Sequence, residues 1–210
     1  MISKSNNLQI ETLCLGQLET NCYLAWCKKT RECIVIDPAD SGDSITQKIL
    51  DLQLKPLCIV FTHGHFDHVL GSLEVKLNFD IPIFMHPKDT DLLKDAQKSA
   101  QYWLKRTVDP VPNTTQPISE GGSLEIGASK LTIIETPGHT PGSIALFADE
   151  PQPILFTGDT LFKAGVGRTD FSYSSPKELR SSLQKLFKKL PSETICYPGH
   201  GETTTLQDEV

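Results

Sequence analysis

The sequence predicts an α+β fold in which two β-sheets pack face to face with helices on their outer faces. Three observations point there. Short strand-like runs fill both halves of the chain, and each half is closed by amphipathic helical segments. The polar, ligand-type residues fall at the C-terminal ends of strands, where loops gather into a site. With 210 residues, 38% of them hydrophobic, the chain is expected to fill one core, and residues 1–210 are read as one domain.

The elements follow in order. Runs 8–15 (LQIETLCL), 21–27 (NCYLAWC) and 32–38 (ECIVIDP) are rich in apolar and β-branched residues, and Gly16 and the basic turn KKTR separate them. Ser41 or Asp43 is placed to cap a helix to about Leu54, with Ile45, Ile49, Leu50 and Leu52 on its apolar face. Strands 57–61 (LCIVF) and 81–86 (IPIFMH) come next. Pro87 suits a first helical position, and the helix it opens runs to about Arg106 with Leu92, Leu93, Ala96, Ala100, Trp103 and Leu104 on one face. Residues 107–122 lack periodicity and are dense in Pro, Asn, Thr and Gly, so they are read as a loop. The second half supplies strands in SLEIG, KLTIIETPG, SIALF and PILFTGD. A helix from Pro176 to about Leu190 carries Leu179, Leu183, Leu186, Phe187 and Leu190 inward, and TICYPGHG is the last strand.

Composition excludes several function classes. A formal charge of −6 offers no basic face for a nucleic acid. No run approaches the roughly 18 apolar residues of a membrane span, and the N-terminus lacks a secretory apolar stretch. The six cysteines form no C-x-x-C pair, and Cys14, Cys22, Cys33 and Cys58 lie in strand-like runs. They are expected to be buried, reduced thiols, which fits a cytoplasmic protein.

The chemistry concentrates in FTHGHFDHVLG, residues 61–71. In an extended segment residues i and i+2 point the same way, so His63 and His65 can reach one ion together. Asp67 and His68 lie where the chain turns towards a helix, and adjacent residues there diverge by about 100°. That geometry suggests two neighbouring ions. Later strand ends supply further ligand types in the order apolar strand, glycine, ligand: His139 in TPGHTPGS, Asp159 in LFTGDTLF and His200 in CYPGHG. A glycine there is expected to let the backbone approach an ion. His86 also ends a strand but stands outside this set, and is read as structural or solvent-exposed. Asp37, ending CIVID, is a candidate to orient a ligand imidazole. Arg168 in GVGRTDF either faces an anionic substrate or, with Asp170, fixes the loop beneath the metals. Imidazole and carboxylate donors suit zinc, iron or manganese, and the lack of cysteine in the cluster disfavours a closed structural zinc site.

At these residues the chain resembles the metallo-β-lactamase fold superfamily: H-x-H-x-D-H is followed by distant His, Asp and His. The segments TNCYL, VIDP, TPGHTPGS, GDTLF, GRTDF and YPGHGETTT resemble its glyoxalase II-like branch, from about Thr20 to Thr205. The resemblance implies an αββα sandwich with the site at one edge of the two sheets. It further implies that His63, His65 and His139 hold one metal, that Asp67, His68 and His200 hold a second, and that Asp159 bridges them. The C-terminal helical segment that binds glutathione in glyoxalase II has no counterpart in GETTTLQDEV, which places the chain with short relatives of that enzyme.

The expected activity is hydrolysis of a small-molecule thioester, S-acylglutathione or a related compound, by a hydroxide bridging two divalent ions, zinc first, iron or manganese as alternatives. Asp67 is expected to ligate and to orient that hydroxide. The rival reading by resemblance is a persulfide dioxygenase with one iron on His63, His139 and Asp159. A metal-binding protein without catalysis is the third reading, although seven ligands for two ions leave coordination positions open for chemistry.

Overall fold

The computed structural model describes residues 8–113, 115–149 and 152–210. The first sheet begins with a meander of β1 (Leu8–Leu15), β2 (Thr20–Cys27) and β3 (Glu32–Ile36), antiparallel throughout. Helix α1 (Gly42–Asp51) then crosses over to β4 (Lys55–Val60), which pairs parallel to β3. Helix α2 (Ser72–Phe79) leads to β5 (Ile83–Met85), and α3 (Thr90–Leu104) leads to β6 (Gln116–Pro117), so the order is β1-β2-β3-β4-β5-β6. The second sheet collects β7 (Ser123–Ile126), β8 (Ser129–Glu135), β9 (Ile144–Ala148) and β10 (Ile154–Gly158). A small hairpin of β11 (Leu161–Phe162) and β12 (Gly165–Val166) precedes α4 (Pro176–Lys189), then β13 (Ile195–Pro198) and β14 (Thr204–Thr205). The order in that sheet is β14-β13-β10-β9-β8-β7, with β10 and β13 parallel.

Three cores show why this is a four-layer sandwich. Alternation along the strands sends Tyr23, Ala25, Ile34, Ile36 and Val60 of the first sheet against Leu131, Ile133, Ile144, Leu146 and Phe156 of the second. The opposite face of the first sheet, with Leu24, Val35, Ile59 and Met85, is covered by Ile45 and Ile49 of α1, Val75 of α2 and Leu93 and Ala96 of α3. The outer face of the second sheet, with Ala145, Leu155 and Cys196, is covered by Leu186 of α4. The central strands are buried on both faces, so they read as continuous apolar runs.

The expected boundaries shift in places. Ser41 sits before α1 with φ 55 and makes no side-chain cap, and α1 stops at Asp51. Leu50 is exposed rather than on the buried face. Helix α2 had no clear apolar stripe to announce it; its buried residues are Ser72 and Val75. Pro87 opens a 3-10 turn, Pro87–Asp89, before α3 begins at Thr90. The 107–122 segment is not all loop, because β6 adds an edge to the first sheet and Ile118 enters the central core. All six cysteines are free, and Cys14 is the one that is exposed.

The inter-sheet core has an aromatic centre. Phe156 packs its ring 5.2 Å from Tyr23 and 5.4 Å from Tyr197 and is fully buried. Phe156→Ala is expected to lower stability by about 3–5 kcal/mol, because the cavity lies between two sheets that cannot collapse onto it. Denaturant unfolding measures this; a loss below about 1 kcal/mol would mean that the sheets do not share this core.

Candidate metal centre

Four strand ends meet at one edge of the sandwich. The segment after β4 carries His63 and His65, and a 3-10 turn, Phe66–His68, brings Asp67 and His68 beside them. His139 follows β8, Asp159 follows β10 and His200 follows β13. The two sheets are laced together here: Ile144 N–H donates to Thr62 O at 2.9 Å, and Asn21 N–H donates to Gly199 O at 2.8 Å. The segment TNCYL therefore has a physical task. Asn21 Nδ2 donates to Pro198 O and Gly201 O, and the Tyr23 hydroxyl donates to Pro198 O at 2.6 Å, which fixes the loop carrying His200.

The side chains fall into two groups that could each hold a cation, His63–His65–His139 and Asp67–His68–His200. In the first, His65 Nδ1 lies 3.1 Å from His63 Nε2 and 3.0 Å from His139 Nε2. In the second, Asp67 Oδ2 lies 3.3 Å from His200 Nε2 and 3.5 Å from His68 Nε2. Asp159 stands between the groups, with Oδ1 3.3 Å from His68 Nε2 and Oδ2 3.5 Å from His139 Nε2 and 3.7 Å from His200 Nε2. A third grouping, Asp37–His63–His68, is closed on itself. Asp37 accepts from Thr62 N and Thr62 Oγ1, and its Oδ2 lies 2.9 Å from His68 Nδ1.

Hydrogen bonds behind the rings decide which nitrogen faces inward. The Thr62 hydroxyl gives its proton to Asp37, so it accepts from His63 Nδ1–H at 3.1 Å and leaves Nε2 unprotonated. His139 Nδ1–H donates to Arg168 O at 2.8 Å, His200 Nδ1–H to Leu18 O at 3.0 Å, and His68 Nδ1–H to Asp37. The inner nitrogens of these four rings therefore face one another and two carboxylates. His65 is backed by Tyr173, whose hydroxyl lies 2.8 Å from Nε2. A proton on His65 Nδ1 would serve one neighbour and leave the other, whereas a cation accepts all three lone pairs. His68 Nε2 and Asp159 Oδ1 are buried without a hydrogen-bond partner. Such orphans are costly in an interior unless an ion takes them up, so the donors fit a metal pair.

The charge states of the unloaded protein follow from the crowding. Burial lowers the pKa of His63, and burial with the neighbouring His139 lowers His65 to about 3. Burial alone would also lower His68, but Asp67, Asp159 and Asp37 outweigh it and raise its pKa. For Asp67 burial acts upward, and His68 and His200 reverse it to hold the carboxyl below its ordinary range. Asp159 behaves in the same way, with His68 the largest opposing charge. Against burial, the same carboxylates raise the pKa of His200, so a proton held there or on His68 stands where a cation would, which is the electrostatics of a cation site.

Glycines at these strand ends serve the protein's own packing as much as any ion. Gly158, at φ 47, lets Thr62 Oγ1 approach to where a Cβ would stand, 2.5 Å away. At Gly199 a Cβ would collide with Asp159 Oδ1 and His68 Cε1. Of the remaining expected residues, Asp170 pairs with Arg168 in a two-pronged bridge, Nε to Oδ1 and Nη2 to Oδ2 at 2.6 Å each. His86 is buried, accepts from Lys88 N and lies 3.1 Å from Glu135 Oε1, away from the cluster. Sequence reasoning missed Asp89. Its buried carboxylate accepts from Gly64 N, Thr140 Oγ1 and Gly142 N, tying the two histidine loops together. It missed Tyr173 as well, where an aromatic pair in DFSY was the available signal. Trp103, expected on the buried face of its helix, is 65% exposed and lines the mouth of the site.

A profile described as the metallo-beta-lactamase superfamily matches residues 15–200. The chain is 32% identical to the hydroxyacylglutathione hydrolase GloC of Haemophilus influenzae, covering 96% of this chain and 95% of that one. Among solved structures, the BLEG-1 B3 metallo-beta-lactamase superposes with a TM-score of 0.87 at 30% identity, covering 95% of each chain. TTHA1623 in a di-iron-bound form superposes with a TM-score of 0.85 at 35% identity, covering 94% of this chain and 96% of that one.

Two expected outcomes test the centre. Gly199→Ala should leave the unfolding transition recognisable while metal analysis shows loss of bound ion, since the methyl group enters the Asp67–His68–His200 side of the cluster. Tyr173→Phe should keep the ring stacked on Phe171 (5.3 Å between centroids) yet weaken metal affinity by about 10–100-fold in a chelator competition. Unchanged affinity would remove Tyr173 from the support of His65.

Proposed function

Because the chain belongs to the metallo-β-lactamase superfamily, whose relatives include metallohydrolases, we propose that it is a binuclear hydrolase of a thioester, an S-acylglutathione or a related acyl thioester. The observation that carries this reading is the second group of donors. Asp67, His68 and His200 stand beside the three-histidine group, and the orphaned His68 Nε2 and Asp159 Oδ1 lie where the two groups meet. A single ion on His63, His139 and Asp159 would leave those donors unexplained. The similarity to GloC favours a thioester over other acyl compounds.

Two divalent ions held there would supply a hydroxide at neutral pH and polarise the carbonyl. The chain's own residues do the rest. His63, His65 and His139 would hold one ion and Asp67, His68 and His200 the other, with Asp159 shared. The Thr20 hydroxyl donates to Asp67 Oδ2 at 3.0 Å, which fixes the carboxylate that we assign to orienting the nucleophile. Asp37, by holding His68 Nδ1–H, keeps Nε2 turned inward. A thiolate leaves readily, its conjugate acid having a pKa of roughly 8.5, so no strong general acid is required of the protein.

Nitrogen and carboxylate donors accept zinc, iron or manganese; we propose zinc, with iron next because TTHA1623 is seen with two irons. Among the described residues no helix is long and apolar enough to cross a membrane. The free cysteines support assignment to the cytoplasm, and the formal charge of −6 supports a small molecule rather than a nucleic acid as partner.

Metal analysis paired with a thioester panel tests the reading. The expected result is two ions per chain and turnover of at least one acyl thioester in a panel that includes S-lactoylglutathione. His68→Ala should retain about one ion and lose about 10²-fold or more in kcat/KM. One iron per chain, with oxygen consumed on a glutathione persulfide, would replace the hydrolase by the dioxygenase reading.

A further inference from the structure

We propose that the mouth of the metal centre selects thioesters whose non-reacting portion is apolar and uncharged, and discriminates against glutathionyl thioesters. The inference rests on the hydrolase reading and narrows its substrate class. The mouth is a cavity of about 480 Å³ opening directly onto His65, Asp67, His139, Asp159 and His200. Its apolar walls are Leu18, Phe66, Trp103, Leu104 and Phe171, with Gln17, Ser99 and Tyr173 adding neutral polar groups. Two of the apolar residues are exposed, Leu18 at 46% and Trp103 at 65%. They leave a hydrophobic surface beside the reacting centre that an apolar group would cover.

Charge supplies the second half of the argument. Among the described residues lining the mouth, Arg168 is the one cation outside the histidine cluster. It is already engaged twice. Asp170 takes both edges of its guanidinium at 2.6 Å, and the guanidinium carbon sits 4.4 Å over the Phe171 ring. Arg168 is thereby a stacked, neutralised part of the wall. A substrate carboxylate that drew it away would exchange one carboxylate for another without net gain. A glutathionyl group brings two carboxylates and an ammonium to this surface. Those charges would have to shed water against Leu18, Trp103 and Leu104, with only the neutral groups of Gln17, Ser99 and Tyr173 and no uncommitted cation among the described lining residues in return, which opposes binding. An uncharged aryl or alkyl portion meets the same walls with a gain from burial and from stacking on the indole.

The experiment compares one acyl group on two thiols of similar leaving ability. S-phenylacetyl-N-acetylcysteamine and S-phenylacetylglutathione are turned over by the metal-loaded protein. In parallel, the corresponding phenethyl thioethers, which cannot be hydrolysed, are titrated against tryptophan emission. The neutral thioether should bind at least tenfold more tightly and the neutral thioester should show at least tenfold higher kcat/KM. Trp103→Ala should abolish the emission change and the advantage, acting through KM rather than kcat; the side chain is exposed enough for the fold to survive its loss. Equal or tighter binding of the glutathione thioether would overturn the inference. Tight binding of the neutral thioether with no turnover of either thioester would support the selectivity of the mouth while overturning the hydrolase reading.

Discussion

Two carboxylates and five imidazoles meet at the sheet edge, with neighbouring donor atoms 3.0–3.7 Å apart. Four of the rings have their outer N–H committed to an acceptor, so their inner nitrogens converge. Such a cluster is unfavourable as a bare assembly, since desolvation and lone-pair repulsion both oppose it. It persists only because the surrounding fold holds each ring from behind. Asp37, Thr62, Leu18 O, Arg168 O and Tyr173 are the holding groups, and they come from four separate segments of the chain. The stability of the centre is therefore borrowed from the two sheets, and a bound cation pair would return part of it.

The layers explain how that support is delivered. Parallel pairing of β10 with β13 sets Gly158 opposite Pro198, which brings Asp159 and His200 to the same edge. The first sheet meets them through Thr62 O and Asn21 N, so neither sheet can shift without moving ligands. Asp89 repeats the device on the other side, where one buried carboxylate joins the loops of Gly64 and Gly142. Burial raises the pKa of that carboxyl, and the three donors around it work in the opposite direction. The chemistry-bearing loops are thus short and pinned at several points, while the mouth above them is built from side chains of the 17–18 turn, α3 and the 168–173 segment.

The mouth separates from the centre in physical character. Below lie charge and fixed hydrogen bonds; above lie an indole, phenyl rings and leucines, with the neutral Gln17, Ser99 and Tyr173 and one internally paired arginine. On the proposed reading, the reaction and the substrate preference are carried by different residues. The 107–119 segment, by contrast, contributes no residue to the mouth among those described; Val108 and Val111 pack beside α3 and Leu70 instead.

Much of this was legible in the chain itself. Ligand-type residues at strand ends, the i, i+2 spacing of His63 and His65, and the apolar strands before them are local features that follow from backbone periodicity. So are α3 and α4, whose apolar faces recur at helical spacing. What lay beyond reach were features that depend on who arrives from elsewhere in the chain. Helix α2 lacks a strong apolar stripe and is held by its neighbours. Asp89 looks like an ordinary acid at a helix start until the two loops close over it. Trp103 matches the buried face of α3 by spacing, yet the helix ends where the sheet no longer covers it. Residue types and periodicity determined the two-layered strand pattern and the set of side chains able to hold metal. Only the tertiary structure decided which ring nitrogens face inward, which glycines abut a neighbour, and which apolar side chains are left at the mouth, because each depends on contacts between segments far apart in sequence.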